Sequence, residues 1–150
     1  MTLEQRPNLK RVVLWVIAML ITLGPITLQQ SYAQEEGCTL ATLNGSYVFD
    51  ATGYNIVNSS PQPKAVVESL DVKGGGTLTS QATVSINGSI HRGIPGSGTY
   101  TVNADCTGTL TFNPQGPHFD IFIAPNGGQF HMIQTDTNTV LAGVSRRVSD

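Results

Sequence analysis

Thr77-Leu-Thr-Ser-Gln-Ala-Thr-Val-Ser-Ile-Asn-Gly-Ser-Ile-His-Arg92 carries the fold class of this chain. Residues 77–86 are rich in Thr, Ser and apolar residues in alternation, which reads as a β-strand. Asn87-Gly88 follows at once. Both residue types tolerate φ > 0, so the pair is the strongest short hairpin signal in the sequence, a type I′ turn. Ser89 to Arg92 starts the return strand, and Gly93-Ile94-Pro95-Gly96 interrupts or bulges it.

The same grammar extends in both directions. Upstream, Gly45 to Tyr54 reads as a strand with Tyr47 and Phe49 on one face. Asn55 to Lys64 reads as a loop, because Pro61 and Pro63 cannot donate to a ladder. Ala65 to Val72 is the next strand, and Lys73-Gly74-Gly75-Gly76 turns it back. Downstream, Gly98 to Asn103 places Tyr100 and Val102 together, and Ala104-Asp105 is a turn. In Cys106 to Phe112, Leu110 and Phe112 share one face and Thr107, Thr109 and Thr111 the other. After a Pro/Gly turn at Asn113–Pro117, Phe119 to Ala124 is the most hydrophobic strand and is expected to be the most buried. Gln129 to Thr135 and Thr139 to Arg147 complete the series, with Asp136-Thr137-Asn138 as turn chemistry between them. The fold class is therefore all-β: an antiparallel up-and-down β-barrel of about eight strands, with a two-sheet β-sandwich as the alternative. A barrel of about eight strands is wide enough to be packed solid or to hold one small ligand.

The N-terminus reads as a signal helix. Arg6, Lys10 and Arg11 precede an apolar run from Val12 to Leu23, and Gly24-Pro25 breaks it. Ser31-Tyr32-Ala33 puts small residues where a signal peptidase reads them, so cleavage is expected after Ala33. The competing reading, an uncleaved anchor, needs about 20 apolar residues and is opposed by Pro25 and Gln29-Gln30-Ser31. The expected organisation is a signal peptide at residues 1–33 and a single secreted or periplasmic domain at residues 34–150.

The chain holds 8 Lys+Arg and 10 Asp+Glu. Removing Arg6, Lys10, Arg11 and Glu4 with the leader leaves 5 basic and 9 acidic residues, a formal charge of −4. No basic patch remains to neutralise phosphates, so nucleic acid is not an expected partner, nor is a membrane once the leader is gone. His91-Arg92 and Arg146-Arg147 read as solvated charge near strand ends. Cys38 and Cys106 are the only cysteines, and in an oxidising compartment they most simply form one disulfide.

Gly98-Thr-Tyr-Thr-Val-Asn-Ala-Asp-Cys-Thr-Gly-Thr-Leu-Thr-Phe112 resembles a group of uncharacterised secreted bacterial β-domain proteins. So do Leu43-Asn-Gly-Ser-Tyr47, Gly127-Gly128, Gln134-Thr-Asp136 and Val140-Leu-Ala-Gly143-Val. The likeness covers most of Cys38 to Arg147. As a group these look like calycin-type barrels of the allene oxide cyclase and dirigent sort, at the level of architecture only. The resemblance implies a barrel, a signal peptide and the Cys38–Cys106 pairing. It carries over no catalytic residue, and fold alone does not imply function.

The residues that could do chemistry are His118, Asp120 and His131. If Asn126-Gly127 is a two-residue turn, Phe122 lies opposite His131 and Asp120 opposite Ile133, which puts all three candidates on one face. An Asp beside a His can orient the ring and tune its basicity, and two His with an Asp can ligate a metal. The plainer reading of Asp120 and His131 is polar residues facing solvent, so no metal or cofactor is assigned. Tyr47, Phe49, Tyr100 and Phe122 are the aromatic residues expected to line a ligand pocket or simply to fill the core.

Three function classes stand. The first is a non-enzymatic barrel that binds a small apolar ligand or serves as a stable extracellular module. The second is an enzyme of the cyclase or isomerase kind acting on an apolar substrate. The third is an envelope interaction module with no pocket. A sealed core would remove the first two. An open cavity holding His131 and Asp120 would favour the enzyme, and one with aromatic walls alone would favour binding.

Overall fold

Short connections and period-two alternation build a closed ring. The computed structural model describes residues 37–149, and the expected signal peptide at residues 1–33 lies outside the described residues. The eight strands are β1 (Gly45–Val57), β2 (Ser60–Lys73), β3 (Thr77–Ile86), β4 (Ser89–Tyr100), β5 (Thr107–Phe112), β6 (His118–Ile123), β7 (Gln129–Gln134) and β8 (Thr139–Ser149). Each pairs antiparallel with its sequence neighbours, and β8 returns to β1 to close the barrel. Closure covers most of the sheet edges, but β4 meets β5 only at Gly98, Thr99 and Tyr100, so residues 89–96 ladder with β3 alone. The ring is uneven: β1 and β2 run 13 and 14 residues, whereas β5, β6 and β7 have six each.

The hairpin at Asn87-Gly88 forms as its sequence predicts, with φ of 49° and 83°. The expected interruption after Arg92 is a β-bulge inside one continuous strand, β4. The register against β3 shifts by one residue between Ala82 and Val84, and Gly93 takes the extra step at φ 65°.

Residues 55–64 correct the sequence reading. They are the tip of a long β1–β2 hairpin, turned by Asn58 and Ser59 at φ 49° and 61°. The prolines are tolerated because their ring nitrogens face away from β1. The Ile56 N–H, opposite Pro61, bonds to Asn138 O (2.8 Å), and Pro63 O accepts from the Asn87 N–H (2.8 Å). Both groups point out of the β1–β2 pair, so neither proline removes a bond from it. Phe119 to Ala124 is also corrected. Phe119, Ile121 and Ile123 are buried, but His118, Asp120 and Phe122 face outward. Strict period-two alternation makes this a half-buried strand despite its composition.

One end of the barrel is plugged. The chain from Cys38 to Asn44 crosses it through a single 3-10 turn, Leu40–Thr42, and drives Leu43 into the core at 1% exposure. The Tyr100 hydroxyl donates within reach of Leu43 O (2.9 Å) and Leu40 O (3.1 Å), and the Tyr47 hydroxyl donates to Gly127 O (2.7 Å). Arg147 was expected in solvent. Alternation along β8 turns it inward instead, where Nη2 donates to Thr42 O (3.2 Å) and to Tyr47 Oη (2.9 Å). Only Arg146 faces out, against Asp50 (2.9 Å). The Cys38–Cys106 disulfide ties the plug to the start of β5 across 68 residues of sequence.

Candidate functional site

The other end is open. It is formed by the tip of the β1–β2 hairpin, the ends of β3, β5 and β7, and the starts of β4, β6 and β8. A cavity of about 370 Å³ enters the barrel there, a size ordinary for a small-molecule site. Phe49, Phe112 and Phe119 form one wall, in edge-to-face contact with centroids 6.1 and 6.2 Å apart along the chain of rings. Val66, Ala82, Val84, Ile86 and Leu141 supply much of the rest.

The floor carries a carboxyl group. In β2 the inward stripe reads Lys64, Val66, Glu68, Leu70, Val72. Glu68 lies opposite Phe49 on β1 and Ala82 on β3, and is 92% buried at 8% exposure. The next layer down, Tyr47 and Leu70, is sealed and lies outside the cavity. Burial pushes the Glu68 pKa up, against a smaller downward pull from the nearby Ser80 hydroxyl. Ser80 Oγ is itself buried and makes no hydrogen bond of ordinary geometry. Gly96 stands across from Ser80, and a Cβ there would come within 2.3 Å of Ser80 Oγ. A side chain at 96 would press on that hydroxyl, so glycine keeps the wall open beside the acid.

The rim is polar. Lys64 Nζ donates to Gln134 Oε1 (3.3 Å), and burial lowers its pKa while the Asp136 charge acts in the opposite sense. His91 lines the mouth near Ser89 Oγ (3.4 Å). Asp136 accepts from the Gln134 amide (2.7 Å), the His118 backbone N–H (2.9 Å) and the His118 ring Nδ1 (2.6 Å). Partial burial alone would raise the Asp136 pKa. Those three bonds and the His118 charge more than offset it and bring it to about 2. Asp136 therefore does more than shape its own turn: it staples the start of β6 to the end of β7.

The structure separates the other expected site residues from this cavity. The conditional register of β6 and β7 is the observed one, with Phe122 opposite His131 and Asp120 opposite Ile133. That register places Asp120, His131 and Phe122 on the outer face, with His118 beside them and turned to Asp136. Among the described residues no three His, Cys, Asp or Glu side chains gather as metal ligands. Phe122, expected at the pocket, is 53% exposed because its neighbours Ile121 and Ile123 take the inward positions. Tyr47 and Tyr100 belong to the plugged end, and Phe49 alone of the four aromatic candidates lines the cavity. Glu68 was missed, although a carboxylate inside the apolar stripe Val66-x-Glu68-x-Leu70-x-Val72 is a readable signal.

Fold and site together define an antiparallel eight-stranded calyx, plugged at one end and open to an acid-floored apolar cavity at the other. Comparison with protein-family models, with curated proteins and with solved structures finds no match for this chain.

Proposed function

We propose that this protein is a secreted or periplasmic carrier that holds a small, largely apolar molecule in its calyx without transforming it. The observation that supports the reading is the open, mostly apolar cavity of about 370 Å³ in a barrel whose other end is sealed. A solid core would serve a purely structural module better, since each void forfeits dispersion contacts. The disulfide suits an oxidising compartment. The reading also draws on the resemblance to calycin-type barrels.

The test is native mass spectrometry of the protein purified from its own cell envelope or medium. The expected species begins at Gln34, carries an intact Cys38–Cys106 bridge and retains a small-molecule adduct. A fluorescent apolar dye should compete with that adduct, and Val84→Trp should exclude both. A bare polypeptide that also takes up no dye would overturn the carrier reading.

One observation favours a second reading, the cyclase- or isomerase-like enzyme. A buried acid in an apolar cavity is placed to exchange a proton with a bound substrate. Under that reading Glu68→Gln retains the ligand but ends its turnover. Under the carrier reading the purified protein returns the ligand chemically unchanged.

A further inference from the structure

We propose that the calyx selects an apolar amine, with Glu68 and Ser80 as the seat of its ammonium group. The inference rests on the carrier reading and names the ligand class for the same cavity.

The argument starts from what Glu68 lacks. It is 92% buried at 8% exposure, and no ion pair reaches it among the described residues. The Ser80 hydroxyl, which draws its pKa down, is itself buried and without a bond of ordinary geometry. Buried polar groups are almost always satisfied, and a buried carboxylate without a partner is costly. A carboxyl without a counter-cation, beside an unbonded hydroxyl and facing an open cavity, is a seat for a cationic donor.

Among the described residues no cation is paired with Glu68. Lys64 shares the inward face of β2 but lies four residues away, roughly 13 Å along an extended strand. Its ammonium is held at the rim by Gln134, in the field of Asp136. His91 is exposed at the mouth beside Ser89. Across the floor, β1 presents Phe49 and β3 presents Ala82, neither of which carries charge.

The ligand must then bring the donors. The two Glu68 carboxylate oxygens and Ser80 Oγ supply three acceptors, and a primary ammonium supplies three N–H donors. Charge-assisted bonds of this kind are about twice as strong as neutral ones. The Phe49 ring sits directly across from Glu68, and aromatic faces attract cations. The apolar walls above would take the hydrocarbon body. An anionic head is disfavoured at the floor by the carboxylate, and an alcohol would leave two of the acceptors short of a donor.

The experiment uses the purified, disulfide-bonded protein and three probes of one chain length: octylamine, octanol and octanoate. Calorimetric titration near neutral pH should show octylamine binding at least about tenfold more tightly than either of the others. Glu68→Gln should lower octylamine to the affinity of octanol and leave octanol unchanged. Ser80→Ala should weaken octylamine several-fold, and it reports on the seat even if the Glu68 variant folds poorly. Octanol binding as tightly as octylamine would overturn the proposal, because Glu68 would then act only as a neutral hydrogen-bond donor. Octanoate binding best would also overturn it and move the anchor to Lys64. Failure of all three probes to bind would sink the carrier reading itself, and the amine seat with it.

Discussion

The two ends of the barrel are built from the same eight strands and solve opposite problems. At the plugged end Tyr47, Tyr100 and Arg147 carry polar groups inward and give them partners, although the buried Ser145 Oγ further along β8 has none. Tyr47 and Tyr100 reach backbone carbonyls, Arg147 bonds to Thr42 O and lies over the Tyr47 ring at 5.4 Å, and a disulfide closes the assembly. At the open end Glu68 is 8% exposed with no ion pair among the described residues, and the Ser80 Oγ beside it is buried without a hydrogen bond of ordinary geometry. Stability is concentrated where the chain crosses the barrel, and the rules of stability are broken where it does not. Proteins tend to violate those rules at sites that serve something other than folding.

This contrast can be broken in graded ways. The largest effect should come from the plug. Replacing both Cys38 and Cys106 by Ser releases a loop closed over 68 residues and should cost about 4 kcal/mol. Thermal melts with and without reductant measure the loss. Dye uptake well below the new melting temperature should survive, because the cavity lies at the other end. A variant that keeps its melting temperature would show that the plug is not where stability resides.

The next effect has the opposite sign. The Glu68 pKa is raised above its ordinary 4.5, so the folded state holds the proton more tightly than the unfolded chain. Its stabilising share is full below the unfolded value and is lost as pH rises through the folded one. Wild type should therefore gain stability on acidification from neutral pH toward that range. Glu68→Leu should be more stable near neutral pH by an amount on the order of 1 kcal/mol and should lack that slope. Phe49, Ala82 and Ser80 face Glu68 and do not titrate in this range, so the slope belongs to it. Denaturant midpoints across pH decide the matter, and a destabilised Glu68→Leu would contradict it.

The smallest effect belongs to the rim. Asp136 is depressed from its ordinary 3.8 to about 2, so its stabilising share is present above the unfolded value and fades as pH falls toward 2. After allowance for its partial exposure, Asp136→Asn should cost on the order of 1 kcal/mol near neutral pH and progressively less as pH falls toward 2. Equal stability of wild type and variant at neutral pH would show that the β6–β7 staple contributes little.

Much of the fold was legible in the sequence. Asn87-Gly88, the bulge near Gly93 and the Cys38–Cys106 pair are local or compositional signals and are present in the structure, whereas the β6–β7 register is open in the sequence between a two- and a three-residue turn and the structure takes the register of the former. The hairpin tip at residues 55–64 was not. A proline's cost depends on which way its nitrogen points, and that follows from the register of a partner strand. Arg147 and Phe122 were misjudged for a related reason. Residue type suggested solvent for one and core for the other, but period-two alternation sent each to the opposite side.

The sequence by itself determined the fold class, the order of the strands and the composition of each strand face. These follow from turn chemistry and alternation, which act over a few residues. Only the tertiary structure decided that the inward face of β2 meets an empty volume at Glu68 and a packed one at Leu70. That difference depends on side chains contributed by facing strands and on a plug that enters from one end only. Cavities belong to the closed ring, and no single strand encodes one.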